Sequence, residues 1–412
     1  MKSFANFLAE AKDGKNTHLE HLEDEILNSG VEGTRQAINF LRSLRDMLAG
    51  KTKIPVNITV KFDGAPAIFA GIDPSDKKFF VAKKGIFNKN PKVYKTNADI
   101  DADTSGDLNT KLKLALAELP KLGIKGVIQG DFLYAKEDLK EVDIGGEPHI
   151  TFHPNTIVYA VPKNSKLAKE ILRSKIGVVW HTRYRGDSFE TMSASFGEEI
   201  ASELKKVTSI WSVDAVYKDV SGTATFTADE TAAVTAKLSA AGKLFNTIKR
   251  ETFNGVSENE DRLMRVKTFI NSKIRQGERI RNTSTFVNDL VTYLENYYNG
   301  EIEKKKTDAG KKTATAKRDE VMEYFKKTPR TQIVSMFDLY NIIIDAKLMI
   351  IRKLDKAKRV GTFLKTADGY SVTEQEGFVA IDKLGKNAVK LVDRLEFSKA
   401  NFSPEYIKGW QR

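Results

Sequence analysis

The sequence predicts an α+β fold in which a strand-rich domain is interrupted by a mainly helical insertion. Short apolar runs separated by turn residues fill residues 51–227 and return after 358. Between them, residues 228–357 carry apolar positions at helical spacing, as in Val287-Asn288-Asp289-Leu290-Val291-Thr292-Tyr293-Leu294 and from Met336 to Leu354. Strands on both flanks imply one discontinuous domain, 51–227 with 358–412, around a 228–357 insertion. Ahead of it, residues 17–50 read as a helical segment broken at Asn28-Ser29-Gly30, with Leu19, Leu22 and Ile26 on one helix and Ala37, Phe40, Leu41, Leu44 and Leu48 on the next.

A chain of 412 residues can bury a full core and hold two domains. It has no cysteine, which excludes disulfides, thiolate metal sites and a cysteine nucleophile. No run approaches the ~18 apolar residues of a membrane span, which argues against a membrane role. Its 67 basic and 55 acidic residues leave a net charge of +12, pointing to a polyanionic partner, most simply a nucleic acid.

Each element follows from local pattern. Ile58 to Phe69 is a β-branched run that meets one lysine, breaks in Lys61-Phe62-Asp63-Gly64 and resumes, so Lys61 is expected at a strand end facing a cleft. A lysine amine there is a candidate nucleophile once burial or cationic neighbours favour its neutral form. Phe79 to Gly85 reads as a hairpin partner ending in Lys83-Lys84. The acids Asp99, Asp101, Asp103 and Asp107 miss a calcium loop, since the glycine falls at 106 and Thr110 stands where a terminal glutamate is needed, so a solvated acidic loop is expected. His18 and His21 make a metal site conceivable, but a solvated charged face accounts for the same residues.

A helix from about 108 to 119 leads to an apolar strand carrying Asp131, and further strands cover 150–152, 156–161 and 176–182, the last including Trp180. Within the insertion, the lysine-rich stretch from Asn299 to Lys317 is expected to be a mobile basic loop able to touch phosphates. Its Gly310-Lys311-Lys312-Thr313 is not a phosphate loop, because Lys305 occupies the first-glycine position. Strands resume at 361–364, 376–381 and 388–392.

Five pieces stand in order: Lys61-Phe62-Asp63-Gly64, Lys83-Lys84, Gly130-Asp131-Phe132, Glu376-Gly377-Phe378-Val379 and Ala388-Val389-Lys390. With them the chain resembles the covalent nucleotidyltransferase superfamily of polynucleotide ligases and capping enzymes, most nearly its RNA-ligase branch. The resemblance implies an antiparallel-sheet, ATP-grasp-like ligase domain and a lysyl-AMP intermediate on Lys61. It implies nucleotide contacts from Val60, Asp63, Gly64, Lys84, Asp131, Trp180, Glu376 and Lys390, with Asp131 and Glu376 holding Mg2+ or Mn2+. Trp180 matches the adenine-stacking aromatic, with Tyr159 as a substitute. Lys84 stands where the family usually has arginine, Asp131 where it more often has glutamate, and Val392 where it has a second lysine. The chemistry is coherent by itself, because a lysine attacking a triphosphate needs nearby cations to neutralise phosphate charge and carboxylates to hold a metal.

Residues 1–16 read as a targeting-like peptide. Phe4, Phe7, Leu8 and Ala11 fall at helical spacing, and Leu8-Ala9-Glu10 is similar to the cleavage signal of capsid-targeting peptides in T-even-like phages. That resemblance implies packaging in a virion after cleavage following Glu10, or otherwise action in the host cytoplasm. The expected function is an ATP-dependent RNA or DNA ligase acting on 5′-phosphate and 3′-hydroxyl ends. Two alternatives stand beside it: adenylyl transfer to a protein or small molecule, and a non-catalytic, nucleic-acid-binding internal head protein.

Overall fold

The computed structural model describes residues 20–50, 57–88, 90–215, 225–356, 361–366, 369–372, 377–381 and 388–409. Leu8-Ala9-Glu10, His18 and Glu376 lie outside them. After a helical turn at Glu25–Asn28 come α1 (Gly30–Leu48), β1 (Asn57–Lys61), β2 (Ala67–Ile72) and β3 (Phe79–Ala82). Next are α2 (Asn97–Asp103), α3 (Gly106–Glu118), β4 (Val127–Ala135), β5 (Lys140–Ile144), β6 (Glu147–Phe152), β7 (Ile157–Pro162), α4 (Lys166–Arg173), β8 (Ile176–Arg185), β9 (Ser193–Phe196) and β10 (Ile210–Asp214). The helical stretch comprises α5 (Ala228–Phe245), α6 (Arg250–Ser257), α7 (Glu260–Arg275), α8 (Thr283–Glu303), α9 (Asp308–Lys327) and α10 (Arg330–Asp355). β11 (Gly361–Thr366), β12 (Gly369–Val372), β13 (Gly377–Ile381), β14 (Ala388–Leu391) and α11 (Arg394–Phe402) close the described chain.

The protein is α+β with mainly antiparallel sheets. The strands form a three-stranded sheet β1-β13-β14, a six-stranded sheet β10-β8-β4-β2-β3 with β9 on β8, and a five-stranded sheet β12-β11-β7-β6-β5. Strands from beyond the helical stretch complete two of them, β13 on β1 and β11 on β7. Only the β8–β10 ladder runs parallel among the described strands. On the six-stranded sheet, alternation sends Ile68, Ile128, Phe132, Val178 and Trp180 against α2 and α3. The other face splits into an aromatic cluster around Phe69, Phe80 and Tyr184 and a second core, with Leu133 and Val179, shared with the five-stranded sheet.

Three expectations give way here. The N-terminal helices are not a separate segment: Leu22, Ile26, Leu41 and Leu44 join Val234, Leu290 and Ile343 in one core, because α1 buries an apolar stripe that only the later helices can cover. The acidic run is helical, since Thr96 and Asp99 form a capping box that starts α2, and Asp101 and Asp103 bind Lys113 and Lys83. The Asn299 to Lys317 stretch is largely helix too; only 304–307 turns, and Thr307 caps α9 by accepting from the Gly310 N–H at 3.1 Å. Among the described residues no helix is long and apolar enough to cross a membrane.

The N-terminal turn is fastened to α10 and α11 by buried charge. Lys347 Nζ meets Glu23 at 2.7 Å with both side chains 1% exposed, and Arg394 meets Asp24 at 2.7 Å while Tyr340 donates to the same carboxylate. Lys347→Met leaves the buried Glu23 carboxylate to its longer, 3.7 Å contact with Arg394, so urea unfolding should show a loss of about 3–5 kcal/mol, largely recovered in the Glu23→Leu/Lys347→Met double variant.

Glu25 lies in the same region with Oε2 unpaired, and burial, reinforced by Glu20, pushes its carboxyl from the ordinary 4.5 up to about 7. Its folded form therefore favours the proton, a contribution complete below pH 4.5 and lost as pH rises through 7. Glu25→Gln should raise the thermal midpoint by a few degrees at pH 8 and leave it unchanged at pH 4, as read by circular dichroism.

Candidate functional site

β1 delivers Lys61 to the seam between the helical core and the sheets. The register pairs Lys61 with Gly377 and Val60 with Phe378. Val60 and Phe378 face the helical core, so alternation turns Lys61 the other way. Thr59, Val379 and Lys390 share one line across the three strands, which puts Lys390 on the Lys61 side of the sheet, about 12 Å away by strand spacing. The ring of Phe397, from α11, lies 5.9 Å from Lys61 Nζ.

After Lys61 the chain turns sharply towards β4. A Cβ on Gly64 would stand 2.4 Å from Asp131 Cβ and 3.1 Å from the Phe132 carbonyl, so only glycine admits this approach. The Ala65 N–H donates to Phe132 O and the Phe132 N–H to Pro66 O, locking the turn beside Asp131. Asp131 pairs with Ala67 and Val179, and its carboxylate lies 3.9 Å from His181 Nε2. Burial, and then the Lys61 charge, push the His181 imidazole down to about 4, so it is neutral at physiological pH. Lys61, Gly64, Asp131 and His181 therefore form one cluster.

Other expected contacts fall differently. Asp63 is a latch rather than a nucleotide contact: 5% exposed, its carboxylate accepts from Asn155 Nδ2 at 2.6 Å, Thr156 N at 2.7 Å and Ile157 N at 2.9 Å. Its own N–H donates to the Tyr159 hydroxyl at 2.7 Å. Trp180 is fully buried on the sheet face opposite Asp131, donating Nε1–H to Ser212, and is not positioned to stack on a ligand. Tyr159 is buried as well, its ring against Phe62 and Phe152. The Val60 N–H is taken by Ala215 O at 2.7 Å. Lys84 opens a short 3-10 turn, Lys84–Phe87, at the end of the sheet where Asp131 sits. It is exposed and makes no ion pair among the described residues, whereas Lys83 is bound to Asp103.

Val392, at the second-lysine position, is 2% exposed and fills the space beside Gly377, where a Cβ would meet its Cγ2 at 2.7 Å. Among the described residues no group of three or more His, Asp or Glu is arranged to hold a metal, so a cation here would rest on few protein ligands.

His181 was missed because a strand's sequence does not say which of its faces the helices cover. Val179 pairs with Asp131, so alternation along β8 puts His181 on the Asp131 face and Trp180 against α2 and α3. The C-terminal segment was equally unsignalled: Asn401 and Lys408 reach Thr156, and Gly409 N–H bonds Asn155 O, next to the Asp63 latch.

The chain belongs to the DUF6267 family, a family of unknown function whose model matches residues 16–406. No curated protein and no solved structure matches it.

The latch makes a direct forecast. Asp63→Asn keeps the shape but turns an amide against three N–H donors, so chemical denaturation should show a loss of about 1–3 kcal/mol.

Proposed function

We propose that this protein is an ATP-dependent nucleotidyltransferase that carries AMP on Lys61 and passes it to a nucleic-acid 5′-phosphate, as polynucleotide ligases do. The observation that carries the reading is the cluster at the end of β1: one lysine, held by a glycine turn against Asp131 and His181, with Lys390 on the same sheet face. It adds to the order of motifs that resembles the covalent nucleotidyltransferases.

In the first step the neutral Lys61 amine attacks the α-phosphorus of ATP. A P–N bond forms, the bond from that phosphorus to the bridging oxygen breaks, pyrophosphate leaves and the amine proton passes to solvent. An oxygen of a 5′-phosphate then attacks the same phosphorus and frees the lysine, and a 3′-hydroxyl finally displaces AMP to seal the strand. In this reading Lys84 and Lys390 neutralise phosphate charge, as positioning and electrostatics dominate such transfers. A divalent cation, when bound, would offset negative charge on the phosphates, and Asp131 is the carboxylate of this cluster that would help hold it.

Nucleic acid would be held through its backbone. Lys305, Lys306, Lys311 and Lys312, at the corner between α8 and α9, are exposed and make no ion pair among the described residues. Such a surface grips phosphates without reading sequence.

Incubation with α-labelled ATP and a divalent metal should give label that survives denaturation and is released by 5′-phosphorylated RNA or DNA. Lys61→Ala should abolish the label and leave the circular dichroism spectrum unchanged. Label indifferent to nucleic acid would point to a protein or small-molecule acceptor, and absence of label with ATP, GTP and NAD under varied metals would overturn the reading in favour of a binding protein.

A further inference from the structure

Helix α11 carries two aromatic side chains with opposite fates. Phe397 turns in over Lys61, its ring 5.9 Å from Nζ. Phe402, about 7.5 Å further along the helix axis, is 62% exposed, joins none of the hydrophobic cores and pairs with no other ring among the described residues. Its neighbour is a cation instead: the Arg275 guanidinium, at the end of α7, lies 5.4 Å from the ring centroid. Lys399 precedes Phe402 by one helical turn and shares its side of α11. Lys273 and Arg279, in the same stretch as Arg275, are taken up by Glu278 and Asp393, whereas Arg275 and Lys399 are exposed and make no ion pair among the described residues. Glu396 and Glu405 are the exposed acids that flank the pair in sequence. Asn401 fixes this end of the helix by accepting from the Thr156 hydroxyl at 3.2 Å, and the Thr156 N–H in turn holds Asp63, so the latch that shapes the Lys61 turn also sets where Phe402 stands.

Resting on the nucleotidyl-transfer reading, we propose that Phe402 and Arg275 form a stacking platform for an unpaired base at the end of a nucleic-acid strand, which makes the substrate a single strand rather than a nick in a duplex. An aromatic face within reach of a guanidinium and a lysine suits a nucleotide, because it offers a ring to the base and cations to its phosphates. Every base has a π-face, so the contact is as blind to sequence as the phosphate grip at the corner of α8 and α9. Inside a duplex both faces of a base are covered by its neighbours, and only an unstacked base can lie on Phe402. The platform's place on the helix that covers Lys61 puts that base close to the reacting end.

The test is fluorescence titration of the full chain with 5′-phosphorylated RNA about 12 nucleotides long, carrying 2-aminopurine at one end or the other, as a single strand or annealed into a blunt duplex. Wild type should bind the single strand more tightly than the duplex and change the emission of one terminal 2-aminopurine. Phe402→Ala should weaken single-strand binding by about tenfold and abolish the emission change, while Phe402→Trp keeps both. Arg275→Gln should lower the slope of log affinity against log salt by about 0.7, the share of one phosphate contact. Circular dichroism checks that the variants fold, and should Phe402→Ala fail to, the wild-type emission change and Phe402→Trp still decide. Unchanged single-strand affinity in folded Phe402→Ala, an equal loss on single strand and duplex, or 2-aminopurine indifferent to binding at both ends would overturn the platform. Labelling of wild-type Lys61 by ATP separates the two ideas. Label together with strand binding indifferent to Phe402 sinks the platform alone, whereas Phe402-dependent strand binding without label under any nucleotide sinks the transfer reaction and keeps the platform.

Discussion

The antiparallel pairing of β1 with β13 is the constraint on which the other features depend. It joins a strand from the first sixth of the chain to one from the last tenth, across the whole helical stretch, and uses every position from Asn57 to Lys61. The pairing also separates two environments within a single strand. Val60 and Phe378 are committed to the helical core, which fixes the register, and a fixed register leaves Lys61 one orientation only. A slip by one residue would bury the lysine and expose the valine.

The same sheet is tied from its far side. His21 bridges to Lys390 on β14, and the neighbouring Glu23 and Asp24 are paired with Lys347 and Arg394. Burial and the charges of Arg394 and Lys347 hold the His21 imidazole well below its ordinary range, so it adds no further cation to this crowded region. Helix α10, through Tyr340 and Lys347, thus contacts the segment that borders the strand bearing Lys390. Any rearrangement of the helical core would have to break buried ion pairs before it could shift that strand, which makes the helices and the Lys61 cluster mechanically continuous.

Much of the cluster was legible from local chemistry. Lys61-Phe62-Asp63-Gly64 announced a strand end and a tight turn because the apolar alternation stops at a lysine and resumes after a glycine. Asp131 stood out as the lone acid in an apolar strand. The misreadings came from features that sequence does not carry. Trp180 looked available to a ligand because β8 does not announce that α2 and α3 cover its face, while its neighbour His181 takes the Asp131 face. Asp63 looked like a ligand residue because its three donors lie about ninety positions away in the turn before β7. The lysine-rich stretch read as a loop because its charge masks helix formation, although the Thr307 cap was visible three residues before Gly310. The N-terminal helices looked autonomous because their partners, Val234 and Leu290 among them, come some two hundred residues later.

One feature of the C-terminal segment bears on how the protein comes into being. Phe397 stands over Lys61, Asn401 and Lys408 reach Thr156, and Gly409 docks on Asn155. The surroundings of the lysine are therefore incomplete until residues close to 409 have been made and are free to fold, even though Lys61 itself is made hundreds of codons earlier. Prematurely terminated products would carry the amine without its enclosure, so any reactivity of that group is confined to chains translated nearly through to Gly409.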